Sequence, residues 1–108
     1  MNPTEPRVLY LTTTGRISGL PRQIETWFVE SKGRFYILAE RFHQAHWVEN
    51  IERDPHVRVR IGRHEWSATA RVLDRERDRE TWHMAQELAR KKYGWGDGLP
   101  VEITPEAG

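Results

Sequence analysis

The sequence contains no cysteine, which removes disulfides, thiolate metal ligands and cysteine nucleophiles together and leaves the redox compartment open. It also lacks a long apolar run. Nothing approaches the ~20 residues of a membrane-spanning helix, and the opening MNPTEPRVLY has no apolar signal core. A cytoplasmic location is the simplest expectation. Bulk charge is missing too: 17 Lys+Arg against 16 Asp+Glu leave +1, so nothing in the charge balance calls for nucleic acid or an anionic membrane as partner. Repeats, linkers and low-complexity stretches are absent. So are GxSxG, GxGxxG after a strand and GxxxxGK[ST], which sets aside serine-hydrolase and common nucleotide-fold chemistry.

What is present is one domain's worth of chain. At 108 residues, with 37% hydrophobic and 31% charged side chains and five tryptophans, the expectation is a single globular domain over 1–108, with residues 1–6 and 106–108 as loose ends. The positive excess lies in the first part: ten basic and seven acidic side chains in residues 1–63, against seven and nine in 64–108.

RVLYLTTT predicts a strand over residues 8–13, ended by Gly15, Gly19 and Pro21. QIETWFVE alternates, with Ile24, Thr26 and Phe28 on one face and Glu25, Trp27 and Val29 on the other. A turn at Ser31 to Gly33 then makes it a hairpin with RFYILA. A short helix with Trp47, Val48 and Ile51 on its apolar face stops at Asp54-Pro55. HVRVRIG alternates strictly and turns at Gly62 into EWSATARVL. Residues 78–93 carry a helical stripe of Trp82, Ala85, Leu88 and Ala89, and a last strand covers 101–104. About six mostly antiparallel strands with two helices predict a mainly β (α+β) domain, a small closed or half-closed barrel, since a doubly wound sheet needs more crossover helices.

The loop in LTTTGRISGLPRQIETWF is the most suggestive stretch. Its glycines let backbone amides approach a ligand, Ser18 offers a hydroxyl, and Arg16 and Arg22 can fork onto phosphate or carboxylate oxygens. By residue type alone it is either an anion cradle or a solvated connection. His43 and His46 have HxxH spacing but no third ligand in the same element, so no metal site is expected. His46 is better placed at a helix start, whose free amides favour an anion. Glu25 and Glu40 are not expected to act as an acid/base pair, because lone strand carboxylates usually face solvent or pair with arginine. The glycines of GWGDG follow a helix and read as its C-terminal cap and turn. Trp95 and its neighbour Tyr93 could cover a planar ligand, whereas Trp27, Trp47, Trp66 and Trp82 suit core or interface.

LTTTGRISGLPRQIETWFV, RFYILA, WVENIERDPHVRVRIG and ATARVL together resemble the deazaflavin-dependent nitroreductase family, also described as a nitroreductase or quinone reductase family. The likeness runs over residues 11–73, with an echo in LPVEITPE. It implies a split β-barrel, similar to that of flavin-binding oxidases, and an oxidoreductase that takes a hydride from the reduced deazaflavin coenzyme F-420 to a small-molecule electron acceptor, a quinone or a nitroaromatic. The coenzyme would carry the redox chemistry, which fits the absence of a catalytic triad.

The resemblance also implies site residues. Arg16, Ser18 and Arg22 would contact the cofactor's phosphate-bearing tail; Ile24, Glu25 and Thr26 would edge its ring, with Ala39, Glu40 and Arg41 at the adjacent strand end. His46 and Trp47 would start the helix that faces the phosphate, and Tyr93 and Trp95 would close over the substrate side. The chain departs from the family's usual pattern at Ile17, where a cation is common, at Glu25, where a proline is frequent, and in ERFHQAH, which lacks a glycine pair and proline. These departures keep open an FMN-binding oxidoreductase on the same barrel, a non-catalytic binder of a flavin-like ligand, and a structural homodimer. The resemblance to flavin-binding split barrels, whose sites commonly lie between subunits, implies a homodimer for the enzyme as well.

Overall fold

The computed structural model describes residues 6–106. The elements run β1 (Val8–Thr14), β2 (Pro21–Trp27), β3 (Val29–Ser31), β4 (Arg34–Ala39), a 3-10 turn (Phe42–Gln44), α1 (His46–Arg53), β5 (His56–Ile61), β6 (His64–Val72), α2 (Arg79–Tyr93) and β7 (Leu99–Pro105). All seven strands join one antiparallel sheet in the order β2-β1-β5-β6-β7-β4-β3.

That order dictates a curl. Laid flat at ~4.8 Å per strand, the outermost strands of a seven-stranded sheet would lie roughly 29 Å apart. Here the outermost strands are β2 and β3, joined by the single residue Phe28, and one residue advances the chain by less than ~4 Å. The sheet must therefore roll until its two edges meet, which makes a half-barrel closed by a covalent link.

The cross-strand register collects the apolar residues on the inner face. Leu11 opposes Val59, Ala70 opposes Ile103, and Ile37 opposes Val101. Leu9, Leu11, Ile37, Val59, Val101 and Ile103 are wholly buried. β4 and β7 are covered on both faces, so their burial runs continuously instead of alternating. α2 packs on the outside of this region with Trp82, Ala85 and Ala89 buried, while Leu88 is partly buried. α1 packs against β1 and β6 with Val48 and Ile51.

The expected β-rich barrel with two helices is present, with seven strands instead of about six. QIETWFVE forms two strands, because β2 pairs with β1 whereas β3 pairs with β4, and Phe28 belongs to neither ladder. The β3–β4 turn is Lys32-Gly33, both with positive φ (53° and 78°), as a two-residue hairpin requires. Pro21, expected among the residues that end the first strand, is the first residue of β2, and the last strand is longer than residues 101–104. Residues 1–5 and 107–108 of the expected loose ends lie outside the described chain. Glu106 donates its backbone N–H to the Ser67 carbonyl at 3.0 Å.

Candidate functional site

The β1–β2 loop is held by its own groups. Gly15 N–H donates to Leu20 O, Gly19 N–H to Gly15 O, and Leu20 N–H to Ser18 Oγ. Arg16 is tied to α1: its backbone N–H and Nη1 donate to Asn50 Oδ1 at 3.1 and 3.0 Å, and Nη2 lies 3.0 Å from Glu49 Oε2 and 3.2 Å from His46 Nδ1. Asn50, buried, donates in turn to Thr13 Oγ1. Arg16 and Ser18 thus have internal work, fastening the loop to α1 and closing it. Arg22 is exposed on β2, and Ile17 at the loop tip is 92% exposed.

A cleft of about 870 Å³ opens beside the break in the sheet. Four regions supply ten of the thirteen residues singled out from sequence: Ile24, Glu25 and Thr26 from β2; Ala39, Glu40 and Arg41 from the end of β4; His46 and Trp47 from the start of α1; Tyr93 and Trp95 from the end of α2 and the strap after it. Arg16, Ser18 and Arg22 are not among the lining residues. They sit on or beside the loop, one step removed.

The end of α1 in this cleft has no side-chain cap, so its first amides are free to meet an acceptor. Arg41 and Gln44 flank it, and Phe42 between them has a left-handed φ of 52°. A non-glycine residue in that region costs energy and recurs at functional sites.

Tyr93 does more than cover a substrate. Its hydroxyl accepts from Phe28 N–H at 3.1 Å and lies 2.8 Å from Phe28 O and within hydrogen-bond reach of Arg7 O, while Lys92 Nζ donates to Phe28 O at 3.0 Å. The two polar groups of the residue that no ladder serves are therefore satisfied by the last turn of α2. The Tyr93 ring stacks on Trp27, centroids 4.5 Å apart and planes 2° apart. Trp95 reaches the cleft because the strap lies very close to its neighbours. A Cβ at Gly98 would stand 2.8 Å from the Trp95 ring and 2.9 Å from Ala39 O. Gly94, with φ 80°, is the expected C-cap.

Sequence reasoning did not find Tyr36, which also lines the cleft. It is buried and donates to Oε2 of the buried Glu102 at 3.0 Å; Arg34 and Arg71 each lie 3.4 Å from that carboxylate. Burial, and then the bond to Glu102, push the Tyr36 phenol up to about 12. Arg71 continues to Asp78 at 2.9 Å, whose carboxyl is held below its ordinary range by Asp74 N–H first and by Arg71 beyond it, overcoming partial desolvation. The one signal was Tyr36 alternating with two core residues of β4; its partner lies 66 positions away.

The HxxH pair diverges. His43 faces Glu52 at 3.5 Å, whereas His46 faces Arg16 and Glu49. Among the described residues no three His, Asp or Glu side chains converge on a metal position, and no helix is long and apolar enough to cross a membrane. A second cavity, about 1060 Å³, shares Phe28 and Val29 with the cleft and is walled by Phe35, Ile61, Trp66 and Leu88. The Trp66 indole N–H is buried without a partner among the described residues.

A rolled antiparallel sheet closed through one residue, with two helices and a cleft at the closure, is the split barrel of flavin-binding-like proteins. Solved structures share it: the heme storage protein HutZ of Vibrio cholerae superposes with a TM-score of 0.78 at 20% identity, over 96% of this chain and 84% of that one. An F420-H2 dependent reductase, FDR-A, is 28% identical over 90% and 92% of the two chains, with a TM-score of 0.67. A chain described as a domain-swapped dimer is 28% identical, with coverage of 90% and 78% and a TM-score of 0.65. No curated protein matches. The family model for F420H2-dependent quinone reductases matches residues 2–104, and the chain belongs to that family.

Proposed function

We propose that this chain binds the reduced deazaflavin coenzyme F-420 in the cleft beside Phe28 and passes a hydride to a quinone, nitroaromatic or similar small electrophile. The observation that carries the reading is convergence: ten residues carried over from the family resemblance, on four separate regions of chain, line one cavity. Its volume of about 870 Å³ lies within the range of cofactor sites. The residue types fit the coenzyme as well. Ile24, Ala39, Trp47 and Trp95 offer apolar and aromatic walls for a tricyclic ring, and Arg41 with the uncapped start of α1 offers charge and amides for an anionic tail.

Bound there, the reduced coenzyme would supply a hydride, which carries both electrons to the acceptor, and a proton from solvent would complete the reduction. The chain's own residues bind and orient. β2 presents its outer edge beside Ile24 to Thr26, since β1 pairs only its other side. Trp47 and Trp95 exclude water, and Arg16 acts from behind by holding His46 and the start of α1 in place.

Flavin mononucleotide is the second reading, favoured by one observation: Arg16 is occupied by Glu49 and Asn50 and Ile17 carries no charge, which leaves fewer cations for a long anionic tail. A homodimer fits either reading, since Trp27 is 48% exposed at the cleft and a 28% identical relative is a domain-swapped dimer.

Titration of the purified protein with F-420 and with FMN, followed by tryptophan quenching, decides between them. F-420 binding that weakens about tenfold in Arg41→Ala, the scale of one charge-assisted hydrogen bond, followed by oxidation of the reduced coenzyme with 1,4-naphthoquinone, is the expected result. FMN binding alone selects the second reading, and binding of neither overturns both.

A further inference from the structure

We propose that Glu25 sets the charge preference of the cleft toward the electron acceptor, favouring neutral or cationic electrophiles over anionic ones. The proposal rests on the hydride-transfer reading above and names the substrate class that the site takes.

Glu25 lines the cleft from the middle of β2. Its direct cross-strand partner is Tyr10, and the partner of Tyr10 on β5 is Arg60, so the three side chains stand in a row across three strands. Tyr10 Oη donates to Glu25 Oε1 at 3.0 Å, and the Arg60 guanidinium lies 4.1 Å from the Tyr10 ring centroid. The carboxylate is thereby held in place without being neutralised. A phenol hydroxyl brings no charge, and Arg60 directs Nη1 to the Gly62 carbonyl at 3.2 Å. None of the ion pairs among the described residues includes Glu25, in contrast to Glu49, Glu65, Glu87 and Glu102, each of which faces an arginine.

The remaining charges of the cleft lie elsewhere on its wall. Glu40 and Arg41 follow β4, and His46 opens α1. Lys92, from α2, has its ammonium on the Phe28 carbonyl. Arg41 and the α1 start suit an anionic tail, while β2 presents a fixed, unneutralised negative charge. A tethered carboxylate in a solvent-open cleft acts on a second anion about 7 Å away through an effective dielectric between those of a protein surface and water, which amounts to roughly threefold to tenfold in affinity. A hydrogen-bond donor on the acceptor gains from the same oxygen atoms.

The test compares 1,4-naphthoquinone with its 2-sulfonate, matched in shape and differing in charge. Two readouts are taken for the wild type and Glu25→Gln: kcat/KM with reduced F-420, and equilibrium binding of each quinone by tryptophan quenching. The ratio of neutral to anionic quinone is expected to fall threefold to tenfold in Glu25→Gln in both readouts. In the wild type, 0.5 M salt should lower it in the same direction, which keeps the test independent of how well the variant folds. An unchanged ratio in the variant and in salt overturns the proposal. Absence of turnover with either quinone strikes the hydride-transfer reading alone, because the binding ratios still decide the role of Glu25.

Discussion

The hydroxyl of Tyr93 stands between the backbone N–H and carbonyl of Phe28, at 3.1 and 2.8 Å. A side chain near the end of α2 thus supplies the hydrogen bonding that the sheet withdraws at its closing residue. The last turn of the long helix, the seam of the barrel and one wall of the cleft form a single mechanical unit.

Removing that hydroxyl tests the unit. Tyr93→Phe keeps the ring stacked on Trp27 and leaves the buried Phe28 amide without its partner, a loss of about 1–3 kcal/mol. Urea unfolding should show the midpoint shifted and the m-value unchanged. Full stability in this variant would mean that Lys92 and solvent serve Phe28 adequately.

Gly98→Ala addresses the strap. The new methyl would meet Trp95 at 2.8 Å and the Ala39 carbonyl oxygen at 2.9 Å. Movement of Trp95 relieves the first contact, and the second, with backbone, requires the strap itself to shift away from β4 as well. The expected outcome is a changed near-UV circular dichroism signal with a stability cost of about 1–3 kcal/mol, the usual scale of overpacking. An unaltered tryptophan signal would show that the shift of the strap alone relieves both contacts.

Tyr36 makes stability depend on alkaline pH. Its phenol ionises near 10 in the unfolded chain and about 12 in the folded protein. The folded state therefore holds a proton that the unfolded state releases, and the contribution is full below about pH 10 and is lost as pH rises toward about 12. Chemical denaturation between pH 9 and 12 should show a decline of up to about 2 kcal/mol that Tyr36→Phe abolishes. A decline of the same size in the variant would assign it to other groups.

How much of this was legible in the sequence depends on distance along the chain. The β5–β6 hairpin announces itself through Val57 and Val59 alternating with Arg58 and Arg60, and α2 through Trp82, Ala85 and Ala89, because local periodicity reports burial directly. The seam at Phe28 was not legible. Alternation continues through Ile24, Thr26 and Phe28, and only the partners on β1 and β4 reveal that two strands meet there. Arg16 was visible as a cation, but Asn50 and Glu49, more than thirty residues later, turn it inward. Ten of the residues that the family resemblance implies line one cleft, since a resemblance carries such long-range placement implicitly, and it could not report Glu102 beneath Tyr36.

The position of β7 decides whether the sheet is one piece or two. This strand is the last regular element, yet it lies between β6 and β4, opposing Val72 through Val101 and Phe35 through Ile103. Taken without β7, the strand order leaves two sheets, β2, β1, β5 and β6 in one and β4 and β3 in the other, joined by Phe28 and by the segment that carries α1 from β4 to β5. Without β7 the β6 and β4 edges would both be open to pairing with another strand, one from a second copy included. β7, seven residues long, fills both of those edges at once and makes one sheet out of two leaves.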